Sequence, residues 1–217
     1  MNIQNYDNEV QTLNREVMTA RASMADSYVD ASDKLLQKAK EIDDVNLLGY
    51  SYYYLADAYY RVSAEYLKFN ANLLKAIEYL QICGDKEYIV RCYNLLGIDA
   101  INHGNIELAL DFFMTGIRDC SELEKSSAVG FIECNIGVIY KSIGEYKTAL
   151  SYTQSGYKHV RRNKEDSLYY LNISQILPYF QVHNFPAFSH PEQECPGNTH
   201  FELSDQIQVC LWQANTS

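Results

Sequence analysis

Cys92-Tyr93-Asn94-Leu95-Leu96-Gly97 returns further along the chain as Glu133-Cys134-Asn135-Ile136-Gly137. The spacing is about 40 residues, a period that marks stacked helical units. Each copy is followed by a turn glycine, Gly104 or Gly144. A second helix then opens on Ala109-Leu110 or Ala149-Leu150. Small residues recur at matching depth in that second helix, at Gly116 and Gly156, with Ala76 in an earlier copy. A single helix pair cannot bury its apolar face alone, so successive pairs must lie side by side. The expected fold class is therefore all-α: a right-handed superhelical solenoid of antiparallel helix pairs, followed by an irregular C-terminal tail.

The apolar spacing supports helices on both sides of this core. Leu95, Leu96, Ile98 and Ile101, then Ala109, Phe112, Phe113 and Ile117, recur at steps of three and four residues. Helices are predicted over 8–23, 25–42, 46–62, 64–83, 87–103, 106–123, 126–143, 146–162 and 165–177. Asp43-Asp44 marks a turn, and Gly84-Asp85 closes the fourth helix. Gly104 and Gly144 sit where a left-handed residue stops the first helix of a pair. The four prolines are Pro178, Pro186, Pro191 and Pro196. Uninterrupted helices exclude proline from their interiors, so a repeat domain is expected over 1–177 and a tail over 178–217. Within the tail, Phe201, Leu203, Ile207, Val209 and Leu211 alternate with polar residues at the period of a strand.

Composition excludes several roles. The net charge is −10, and binding a phosphate backbone needs a basic stripe, so nucleic acid is not an expected partner. The run from Lys158 to Lys164 reads as a basic helix end facing the negative pole of the macrodipole. The start of the chain is polar, and no apolar stretch approaches the roughly 20 residues that span a bilayer. A cytoplasmic protein without a membrane partner is expected. Cys83, Cys92, Cys120 and Cys134 fit helical patterns as small buried hydrophobes in a reducing compartment.

Tyr93, Leu96, Gly97, Gly104, Ala109, Phe113 and Gly116 in one repeat resemble the pattern of tetratricopeptide repeats. So do Ile136, Gly137, Tyr140, Gly144, Ala149 and Gly156 in the next, and Tyr52, Leu55, Ala56, Tyr59 and Ala76 in a looser one. The chain departs from that pattern in its longer period, against the family's roughly 34 residues. It departs also at Glu133 and Thr153, which stand where aromatics are usual. Longer repeats of this type resemble two bacterial groups. One is the sensory segment placed before diguanylate cyclase domains. The other is the set of cytoplasmic regulators that bind short signalling peptides.

The resemblance implies that the first helix of each pair lines an inner groove. Groove positions are then Tyr50, Tyr53, Asp57 and Tyr60 in one pair, and Arg91, Asn94, Ile98 and Ile101 in the next. In the third pair they are Phe131, Cys134, Val138 and Lys141, with Asn135 and Asn172 one position along. An asparagine amide both donates and accepts, so it pairs with an extended peptide whatever its side chains. Arg91 offers a two-pronged grip on a carboxylate. Tyrosines supply flat apolar area with a polar tip. Tyr52 and Tyr59 occupy packing positions instead.

No phosphate loop, metalloprotease helix or nucleophile elbow is present, so no catalytic residue and no cofactor is expected. His103 and His159 read as lone histidines. His183, His190, Cys195, His200 and Cys210 contain no close pair of zinc ligands, so no metal is expected either. The expected role is a non-enzymatic module that binds a protein or short peptide in bacterial signalling. The alternative is a structural module that self-associates or links a sensor to an output domain such as a diguanylate cyclase.

Overall fold

The computed structural model describes residues 3–119 and 126–161. Among them are eight α-helices and no strand. They are α1 (Asn8–Ala22), α2 (Tyr28–Glu41), α3 (Val45–Ala58), α4 (Tyr66–Cys83), α5 (Lys86–Asn102), α6 (Ile106–Asp119), α7 (Ser127–Ser142) and α8 (Tyr146–Arg161). A π-helical turn, Tyr59–Ser63, follows α3. The helix expected over 165–177, Asn172, Cys120, the boundary at 178 and the whole tail lie outside the described residues.

The helix starts follow from local chemistry. Side chains of Asp7, Asp44 and Asp85 accept from the backbone N–H three residues on, at 2.8, 2.7 and 3.2 Å. Asn105 does the same for Leu108 at 3.1 Å, and Ser126 caps Ala128. Each bond satisfies a donor that the first helical turn leaves open.

The helix ends repeat one device. The backbone N–H of Asp44, Asp85, Asn105 and Glu145 returns to the carbonyl five residues earlier, at Ala39, Leu80, Ala100 and Tyr140. This bond needs the intervening residue in the left-handed region. Gly84, Gly104 and Gly144 supply it at φ +70°, +73° and +83°. Met24 and Asp43 do so without being glycine, and Ala64 in the same region closes the π turn, where the Glu65 N–H returns to the Tyr59 carbonyl six residues earlier.

Packing runs in chain order, each helix against the next. First members of successive pairs also touch, α3 with α5 and α5 with α7. Gly97 shows how closely the two helices of a pair approach. A Cβ there would stand 2.2 Å from the ring of Phe113, which is itself fully buried. The equivalent contact in the next pair joins Gly137 to Thr153. Thr153 is also fully buried, and its hydroxyl donates to the Ala149 carbonyl at 2.9 Å. A small polar residue therefore replaces the usual aromatic without stranding a donor. No helix among the described residues is long and apolar enough to cross a membrane. Cys92 and Cys134 are buried, whereas Cys83 is half-buried.

Asp99 is a local liability on α5. It is buried, and its Oδ1 makes no hydrogen bond. Burial raises its carboxyl pKa, and neighbouring His103 and Asn70 offset only part of that. A group raised in the folded state favours folding at low pH, and that contribution is lost as pH rises through the folded value. Asp99→Asn should therefore raise stability above neutral pH by about 1 kcal/mol, the low end for a buried polar group whose partners are long, here His103 and Asn70 at 3.5 Å. Thermal midpoints at pH 4 and pH 8 check this: the gain over wild type should be larger at pH 8.

Candidate binding face on α5 and α7

The expected groove residues divide into two sets. Tyr50, Tyr53 and Asp57 are only 3%, 4% and 0% exposed. They do not line an open wall, which corrects their placement from the sequence. The cause is the position of α3, which is packed against α2, α4 and α5 together. Its whole circumference is spent on neighbours. Tyr50 donates to Asp85. Tyr53 packs edge-on against Tyr88 with ring centres 5.1 Å apart. Tyr54, buried beside it, shares a hydrogen bond of 2.8 Å with the Tyr88 hydroxyl. Burial pushes the phenols of Tyr50, Tyr53 and Tyr54 up, so they remain neutral. Cys134 is buried too, against Gly156.

Asp57 is the centre of a charged cluster. Its Oδ2 accepts from Arg21 Nε and from the Tyr28 hydroxyl, both at 2.9 Å. Its Oδ1 accepts from Arg61 Nε at 2.7 Å. Burial alone would raise this carboxyl. The two guanidiniums outweigh it and hold Asp57 below the usual carboxylate range. The cluster ties α1, α2, α3 and the π turn together.

The second set stays half-open. Arg91, Asn94 and Ile98 on α5, and Phe131, Asn135, Val138 and Lys141 on α7, are all half-buried. Steps of three, four and seven residues place each group on one side of its helix. Asn135 Nδ2 donates to Asn94 Oδ1 at 2.8 Å, bridging the two helices. Arg91 bonds Glu87 at 3.1 Å and lies over the Tyr88 ring at 5.6 Å. Burial lowers the pKa of Lys141. At one end of the face, Asn102 donates to the Tyr60 hydroxyl at 2.6 Å. Tyr60 and Ile101 are half-buried, as is Tyr59, while Tyr52 is buried and stacked on Tyr79.

The histidines read as lone have partners. His159 Nδ1 meets Glu133 Oε2 at 2.7 Å, and the Ser155 hydroxyl donates to Glu133 Oε1 at 2.7 Å. This explains the carboxylate standing at an aromatic position: Glu133 fastens α7 to α8. The serine is bonded to the carboxylate and not to the histidine, so the trio is not a nucleophile–base arrangement. His103 bonds the Asp99 carbonyl at 2.8 Å and packs edge-on against Tyr66. Arg21, Tyr28, Arg61 and Tyr88 were missed at the sequence level. Only Asp57 and Arg61 carried a local signal, an acid four residues before a base.

No protein-family model matches the chain, and no curated protein matches it. Among solved structures, the chain is similar to BtubC (BKLC) from P. vanneervenii at 17% identity and a TM-score of 0.50. The match covers 95% of this chain and 99% of that one. At this identity the likeness is one of all-helical fold alone.

Proposed function

We propose that the helix pairs stack as a right-handed superhelical solenoid of tetratricopeptide type, and that the face on α5 and α7 binds a peptide or protein segment without catalysis. The resemblance to bacterial sensory repeat segments makes signalling the setting. The Asn94–Asn135 bridge carries the reading. Once Asn135 has donated to Asn94, Asn94 retains its amide donor group and Asn135 its carbonyl acceptor. Exchanging the two roles leaves the same count. One donor and one acceptor side by side match a peptide group of an extended chain, independent of sequence. Phe131 and Val138 supply adjoining apolar area.

Peptide libraries displayed against the purified protein test this. Each lost hydrogen bond of about 1 kcal/mol corresponds to several-fold in affinity. Asn94→Ala with Asn135→Ala should therefore weaken captured peptides by about tenfold or more while circular dichroism stays unchanged. Equal capture by the double variant refutes the assignment.

A second reading rests on α4. Leu67, Leu74 and Ile82 are 90%, 60% and 69% exposed, and their spacing puts them on one side of that helix. Such an apolar stripe suits self-association or docking to a linked domain. Light scattering across a wide concentration range decides it: a strict monomer throughout argues against assembly.

A further inference from the structure

Two guanidiniums converge on a single carboxylate at the end of α3. Asp57 neutralises one positive charge, so the cluster keeps an excess of one in a chain whose net charge is −10. Each guanidinium carries about five N–H donors, and Asp57 takes one from each, through Nε. Beyond Asp57, Arg61 Nη1 makes a weak approach to Met24 Sδ at 3.9 Å. Neither side chain is sealed: Arg21 is 34% exposed and Arg61 24%. The two cations also repel each other, and one carboxylate, whose attraction outweighs that repulsion, is shared between them. The local backbone is unusual as well. Arg61 sits on the π-helical turn, and that turn ends at Ala64 in the left-handed region at φ 52°. Single π turns and non-glycine left-handed residues gather at functional sites.

We propose that Arg21 and Arg61 form a subsite for an oxyanion, the carboxylate or phosphate group of a ligand. A planar carboxylate or a phosphate accepts paired N–H bonds from guanidinium forks, and both gain strength where water is partly excluded. Asp57 is the fixed internal anion that holds the two forks in place. The bound oxyanion supplies the missing second negative charge. This subsite is independent of the amide pair on α5 and α7, which reads peptide backbone.

The test uses the full chain with nitrogen-labelled arginine. Sodium acetate and sodium phosphate are titrated against sodium chloride at matched ionic strength, which removes general screening. The expected result is saturable movement of the Arg21 and Arg61 side-chain resonances with acetate, phosphate or both. The anion that saturates first identifies the source. Arg61→Lys keeps a charge beside Asp57 and removes the fork, and it should weaken saturation by about tenfold. Asp57→Asn removes the internal anion, so added phosphate should raise its thermal midpoint more than it raises that of wild type. Shifts that never saturate beyond those in chloride overturn the proposal, as does equal saturation in Arg61→Lys. Such a failure leaves peptide capture by the Asn94–Asn135 face untouched, since that is measured separately.

Discussion

Replacing Asp57 with alanine should destabilise the protein by about 3–5 kcal/mol, the usual cost of removing one partner from a buried ion cluster. The carboxylate is fully buried and holds Arg21, Arg61 and Tyr28 at once. Its loss leaves two guanidiniums facing each other and a buried hydroxyl without its acceptor. At the scale of this chain, such a loss lowers the thermal midpoint by roughly 10 °C. The pH dependence has a definite sign. Asp57 is depressed in the folded state, so its contribution is fully present above the unfolded value of about 4 and is lost as pH falls through the folded one. Asp57→Asn should therefore flatten the acid limb of the stability profile. Denaturant melts at pH 7 and below pH 4 check both statements. A wild-type and variant pair that lose stability in parallel on acidification would contradict them.

The second large effect lies in the contact between Gly97 and Phe113. Phe113→Ala empties a fully buried site and should cost about 3–5 kcal/mol. Gly97→Ala should cost about 1–3 kcal/mol by overpacking, because the new methyl group lands 2.2 Å from a ring atom. The two are coupled: with Phe113 already reduced to alanine, the methyl group of Gly97→Ala enters the vacated space. The double variant should thus be more stable than the sum of the single losses implies. A double-mutant cycle from urea melts measures this, and strict additivity would deny the close approach.

Much of the helical framework was open to inspection in the primary structure. α5 was expected over 87–103 and is Lys86–Asn102; α7 was expected over 126–143 and is Ser127–Ser142. These limits are set by nearest-neighbour chemistry: an acid, asparagine or serine accepts from the first turn, and a left-handed residue closes the last. The exception is instructive. The third helix was expected to continue to residue 62, but it changes to a π turn at Tyr59. Arg61 is drawn there onto Asp57, alongside an arginine of α1. No local pattern could announce that, because Arg21 and Asp57 are 36 residues apart.

The candidate face divides in the same way. Arg91, Asn94 and Ile98 stand one period before Phe131, Cys134 and Val138, so the shared side of the first helices is legible in the repeat; Asn135 lies one position along, and its bond to Asn94 is not. Tyr50, Tyr53 and Asp57 occupy matching places too, yet they are sealed. Helical period, turn residues and capping acids act over a few residues, and the chain displays them directly. Whether a given helical side faces a ligand or a neighbour depends on which side chains are laid over it. For α3 these include Arg21, Tyr28 and Tyr88, from α1, α2 and α5, and they arrive only when residues distant in the chain are brought together, so burial and charge pairing around Asp57 belong to the assembled molecule.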